Sequence, residues 1–118
     1  MQKIAFCMQL NAGAAAEYKA RHDTLWPDLR DALYQAGIRD YSIHLECETG
    51  RLFATMWRSD DHRVDDLPSL PVMRRWWEHM ADLMATDATG APVQTMLEPM
   101  FHLEYIHRCR LTPVPGAF

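Results

Sequence analysis

The chain has 118 residues, 48% hydrophobic and 24% charged, with a formal net charge of −4 at pH 7. That length suits one domain with a real core and is too short for two ordinary ones. Lys and Arg are scattered rather than gathered in a stripe, and no apolar run approaches the roughly 20 residues that span a bilayer, which argues against nucleic acid and membrane as partners and for a cytoplasmic protein.

Along the chain, Ile4, Phe6, Met8 and Leu10 alternate with smaller or polar residues, predicting a first strand over Lys3 to Leu10. A helical pattern follows from about Ala14 to Ala36, with Gly37 as its stop signal. Pro27 lies inside it, has no N–H and clashes with the preceding turn, so the helix is expected to kink or break between His22 and Trp26. Tyr41 to Cys47, the turn Glu48 to Arg51 and the run Leu52 to Arg58 form a predicted β-hairpin. Tyr41, Ile43 and Leu45 share one face of it.

A polar connection from Ser59 carries a short helix before Pro68, and a second long helix begins with Ser69 as expected cap and Pro71 in its first turn. Its apolar stripe is Val72, Met73, Trp76, Trp77, Met80, Leu83 and Met84. A loop over Ala85 to Thr95 leads to a fourth strand expected at Pro99 to Ile106. The domain is expected over 1–107, and the tail 108–118, with two prolines and a glycine, is expected to be mobile. Cys7, Cys47 and Cys109 have no C-x-x-C spacing and read as reduced thiols.

The order β-α-β-β-α-β is that of a ferredoxin-like split βαβ, an α+β fold with an antiparallel sheet and both helices on one face. The fourth strand is apolar on both faces, so the sheet face away from the helices needs a cover. A second copy of the chain, in a symmetric homodimer, would supply it.

On the first helix Tyr18 and His22 are four residues apart and share a face, continued by Trp26 and Leu29. A histidine titrates near neutrality, so one walled by aromatics can move protons without a metal or nucleotide. Tyr41 and the Trp76-Trp77 pair converge on the same side of the sheet. Aromatic faces beside a few hydroxyl and imidazole groups suit a carbohydrate. The competing reading is that His22, Trp76, Trp77, Met80 and Met84 are simply core. The other histidines show no H-x-x-x-H or H-E-x-x-H spacing and no Gly-rich loop is present, so neither metal nor phosphate chemistry is expected.

Taken together, Met8-Gln9, Tyr18-x-x-Arg21-His22-x-x-x-Trp26-Pro27-x-Leu29, Tyr41-Ser-Ile43, Gly50-Arg-Leu-Phe53, Arg75-Trp-Trp77-x-x-Met80 and Phe101-His-Leu103 resemble the L-rhamnose mutarotase family, in order over roughly residues 1 to 104. The resemblance implies a dimeric ferredoxin-like protein that interconverts sugar anomers without a cofactor. It places His22 on the family's catalytic acid and Tyr18, Tyr41, Trp76 and Trp77 on its sugar-binding positions, with Tyr18 expected to assist the proton transfer. The chain departs from the family pattern at Thr86 to Gly90 and in its Cys109 to Phe118 extension. Close alternatives are a mutarotase for L-fucose or another related sugar, and a non-catalytic small-molecule-binding module of the dimeric α/β-barrel type; an oxygenase on that fold is more distant.

Overall fold

Alternating apolar residues in the strands put one sheet face against the helices. In the computed structural model, which describes residues 1–104, β1 (Gln2–Gln9) is followed by α1 (Ala15–Asp23), α2 (Pro27–Gln35), β2 (Ile38–Glu46), β3 (Arg51–Arg58), a 3-10 turn over Val64–Ser69, α3 (Pro71–Met80) and β4 (Thr95–Met96). The strands form one antiparallel sheet in the order β2-β3-β1-β4. Register sets Phe6 opposite Ala54 and Met8 opposite Leu52, and these four side chains enter one core with Leu29 of α2 and Met73, Trp76 and Met80 of α3. This is the expected ferredoxin-like arrangement, with the helices on one face.

Pro27 breaks the first helical pattern into two helices and opens the second at its first position, where the missing N–H costs little. Trp26, just before it, is extended (φ −60°, ψ 131°), as a residue preceding proline favours. His22 therefore stands one residue from the end of α1.

Three expectations are corrected. Ser69 does not cap α3: its hydroxyl donates to the Asp66 carbonyl of the 3-10 turn, and Leu70 takes the cap position without a side-chain cap. The helix ends at Met80 rather than near Met84, although Leu83 and Met84 stay buried, with Met84 bridging to Leu10. The fourth strand is not Pro99 to Ile106 but Thr95–Met96, paired with Cys7 and Phe6. The Leu97 N–H still donates to the Ala5 carbonyl, so the next donor towards β1 in an antiparallel ladder would be residue 99. Pro99 has no N–H, and the ladder stops. Beyond it Met100, Phe101 and Leu103 are 86%, 84% and 80% exposed. Tyr105, Ile106, Cys109, the domain boundary at 107 and the tail lie outside the described residues.

Gly37 makes the turn between α2 and β2 with φ +97°, donating to the Tyr34 carbonyl and accepting from the Ser59 N–H. A Cβ there would collide with the Ser59 hydroxyl and stand 3.2 Å from the His62 Cα. Gly37→Ala is expected to cost about 1–3 kcal/mol, because the left-handed backbone and the close approach act together. Urea unfolding checks this; an unchanged midpoint would refute the turn's dependence on glycine.

Candidate active site

Tyr18 is buried and His22 half-buried on the inner face of α1, their ring centroids 4.4 Å apart and inclined by 33°. The His22 Nδ1 lies 2.9 Å from the Tyr18 carbonyl oxygen. A carbonyl can only accept, so Nδ1 carries the hydrogen, and in the neutral ring Nε2 is left with its lone pair. Burial pulls the His22 pKa below its ordinary value, against the opposing influence of the Tyr18 carbonyl and of Asp23. The resting imidazole at neutral pH is thus uncharged, with a fixed tautomer and one acceptor nitrogen.

The Trp76 ring meets His22 edge-on at 5.2 Å and 90°, and Trp26 meets Trp76 in the same way at 5.2 Å and 85°. Such edge-to-face pairs hold ring orientation and add about 0.5–1.5 kcal/mol each beyond area burial. Trp76 is 7% exposed and belongs to the core, whereas Trp77, about 100° round the helix, is half-buried.

Tyr41 reaches the same region from β2. A bulge between Arg39 and Ser42, with Asp40 at φ +51°, interrupts the β2–β3 ladder just before it. Tyr41 keeps the phase of Ile43 and Leu45 and faces the helix side, where its ring stands edge-on to Phe6 at 6.3 Å. Although 37% of the residue is exposed, the phenol is pushed well above its ordinary range, first by desolvation and then by the neighbouring Tyr18. Burial pushes the Tyr18 phenol up to about 12. Both tyrosines are neutral donors at physiological pH.

Tyr18, His22, Tyr41, Trp76 and Trp77 all line one cavity of about 700 Å³, within the range of small-molecule sites. Leu29, Met73 and Met80 supply apolar wall, and Lys19 and Asp23, joined by a 2.9 Å ion pair, also border it. These are the five residues that spacing and pattern bring together; Gln94, from the segment before β4, borders the cavity as well. A lone Gln after Pro92 carries no periodic or motif signal that marks it. Among the described residues no three metal-ligating side chains converge, and no helix is long and apolar enough to cross a membrane.

A family model described as L-rhamnose mutarotase matches residues 3–103. The L-rhamnose mutarotase of Rhizobium meliloti is 58% identical over 104 residues, which cover 88% of this chain and 100% of that one. Among solved structures, L-rhamnose mutarotase from Formosa agariphila superposes with a TM-score of 0.82 at 38% identity, over 88% of this chain and 100% of that one. A Mycobacterium tuberculosis protein 16% identical, with a TM-score of 0.53 over 86% of this chain and 97% of its own, shares the fold.

The depressed His22 pKa has a thermodynamic consequence. Below about 6.5 the unfolded histidine binds a proton that the folded one resists, so the unfolded state gains protons and stability falls as pH drops through that window. His22→Gln, which cannot titrate, is expected to flatten this slope. Urea midpoints measured from pH 7.5 to 5 test it, and parallel curves for the two proteins would show that His22 is not held neutral by the fold.

Proposed function

The chain belongs to the L-rhamnose mutarotase family, and from that premise we propose that it interconverts the α and β anomers of L-rhamnose by opening and reclosing the sugar ring, with its own side chains moving the protons and no cofactor. The observation that carries the mechanism is the Nδ1–H bond of His22 to the Tyr18 carbonyl, which leaves Nε2 as a free acceptor in an apolar cavity.

Mutarotation needs two proton movements. One proton leaves the anomeric hydroxyl and one arrives at the ring oxygen as the bond from C1 to that oxygen breaks, giving the open aldehyde. Rotation about C1–C2 and reclosure on the other face of the carbonyl complete the exchange. No electrons are gained or lost. His22 Nε2 takes the anomeric proton in the opening half and returns it, as the acid that the resemblance implies, in the closing half.

Tyr18 is a less suitable store for a proton. With its pKa at about 12, ionising it at pH 7 costs about 7 kcal/mol, five pH units at 1.36 kcal/mol each. It therefore assists by donating a hydrogen bond, to the sugar or to a water that gives a proton to the ring oxygen while taking one from solvent and reverses both transfers on closing, and does not persist as phenolate. Tyr41 holds another hydroxyl in the same manner. The Trp76 and Trp77 rings take the C–H face of the pyranose, and the Met73 and Met80 wall suits the methyl that a 6-deoxy sugar carries in place of a hydroxymethyl. A related deoxy sugar such as L-fucose is the nearest variant substrate, and a binder without catalysis the alternative of different kind.

We also propose that the protein works as a homodimer. Phe53, 38% exposed, lies on the sheet face away from the helices, in register with Cys7 and His44, and the arm carrying Met100, Phe101 and Leu103 is largely uncovered. His102 of that arm packs edge-on against Trp57 at 5.2 Å, which keeps the arm beside the sheet. Apolar surface of this kind, contiguous with a sheet, favours self-association.

Two measurements test these readings. Saturation-transfer NMR is expected to show exchange between the anomeric protons of L-rhamnose accelerated by catalytic amounts of protein. In it His22→Ala should lose about 10²–10⁴ in rate, whereas Tyr18→Phe, missing one hydrogen bond, should lose up to about tenfold. A folded His22→Ala variant with the wild-type rate would end the catalytic reading of that residue, and wild-type protein that binds sugar without accelerating exchange would leave a binding module. Sedimentation equilibrium at micromolar concentration is expected to give twice the 13.7 kDa chain mass; a monomer would refute the dimer.

A further inference from the structure

Next to His22 in the chain is a residue that the reaction as described does not use. Arg21 is in the last turn of α1, and its side chain is only 18% exposed, against 76% for Lys19 on the same helix. Its guanidinium forks onto Asp82, with Nη1 2.8 Å from one carboxylate oxygen and Nη2 3.3 Å from the other. Nη1 also donates to the His79 backbone carbonyl, and Nε lies 2.9 Å from the Glu17 carboxylate one turn back. His79 and Asp82 flank the end of α3, whose last turns carry Trp76, Trp77 and Met80. One planar group therefore ties the end of the helix bearing His22 to the end of the helix bearing the aromatic wall. Bidentate geometry of this kind is specific to arginine; an ammonium cannot reproduce the fork.

The tie matters because of where the His22 bond runs. The Nδ1–H bond that fixes the imidazole goes to Tyr18, four residues back in the same helix. A helix of nine residues is marginal by itself and frays from its ends, and His22 is the penultimate residue of α1. Beyond it the backbone has already left helical geometry at Thr24, with φ −112° and ψ 40°. Glu17 and Asp82 hold Arg21 from both sides, so the turn containing His22 is pinned within α1 and against α3 together. We propose that Arg21, through its fork to Asp82 and its bond to the His79 carbonyl, is a positioning residue of the reaction that fixes the His22 Nε2 relative to the Trp76–Trp77 wall. The inference rests on the mutarotase reading, since it is the reacting anomeric centre that Nε2 must meet.

Arg21→Lys keeps the charge and removes the fork, and Asp82→Asn keeps the size and removes the anionic partner. Both are expected to stay folded. In both, kcat for L-rhamnose anomer exchange should fall about 10- to 100-fold, the scale set by roughly an ångström of misplacement. KM should move by no more than about threefold, because the sugar-binding rings keep their places. Arg63→Gln, which breaks an exposed pair to Asp66 outside the cavity, is the control and should leave kcat and KM unchanged.

A second readout needs no turnover. In ¹⁵N-labelled protein the His22 Nδ1 proton should be observable in the wild type, held by the Tyr18 carbonyl, and should be lost to solvent exchange in Arg21→Lys and Asp82→Asn. If the wild type fails to accelerate exchange yet the Nδ1 proton behaves as stated, the mutarotase reading falls while the positioning of His22 by Arg21 stands. If the wild type is active and both folded variants keep its kcat and its Nδ1 proton, the role assigned to Arg21 is overturned. A general loss of stability would instead lower the melting temperature with kcat per folded molecule preserved, which also overturns it.

Discussion

Among the described residues Leu29, Leu52 and Met80 are the most completely buried large side chains, one each from α2, β3 and α3. Their meeting in a single core fixes how far the helices stand from the sheet. Fully burying an aliphatic side chain of this size contributes about 1.5–3 kcal/mol, so three at one junction resist any sliding of α3 over β3. The cavity is bounded by the same three residues. Its walls are thus in part the far side of the core, and the space between the tyrosines and tryptophans is bounded by packed side chains, with Pro92 and Gln94 of the segment before β4 also bordering it. A site of this construction is largely formed before substrate arrives.

Most of the frame was legible from local rules. Period-two alternation located β1 and the hairpin, Pro27 located the helix break, and the Gly37 stop signal located the end of α2. What the letters did not reveal depended on partners distant in sequence. Ser69 looks like a helix cap, but the 3-10 turn before it claims the hydroxyl. Pro99 reads as the start of a strand, and only the register against β1 shows that it falls where a donor is required. The bulge between Arg39 and Ser42, with Asp40 at positive φ, has no signature in the letters, although the side that Tyr41 faces follows from its spacing to Ile43 and Leu45.

The site was legible to a different degree. The i, i+4 spacing of Tyr18 and His22 predicts that they meet, and they do, with rings 4.4 Å apart. Spacing could not say which ring nitrogen bears the hydrogen, because that is decided by a carbonyl whose direction only the folded helix defines. Nor could it divide the adjacent tryptophans. Trp76 is committed to the core by Trp26 and His22 at its edges, leaving Trp77 with more of its surface towards open space. The same burial that pulls His22 below its ordinary pKa pushes Tyr18 above its own, so one apolar environment favours the neutral form of both groups.

The pairing of Lys19 with Asp23 beside the cavity has a kinetic meaning. The two charges offset each other locally, His22 is uncharged in its resting form, and both tyrosines are neutral, so these groups together lend the cavity mouth little net charge. A neutral sugar has no charge for such a field to act upon in any case. Encounter is then governed by diffusion and by the size of the opening, without the acceleration of 10- to 1000-fold that charge-focusing clefts give their ligands. For a neutral sugar, dissolved salt, which screens such fields within about 8–10 Å at ordinary ionic strength, has little to screen, and entry would be set by diffusion and the size of the opening.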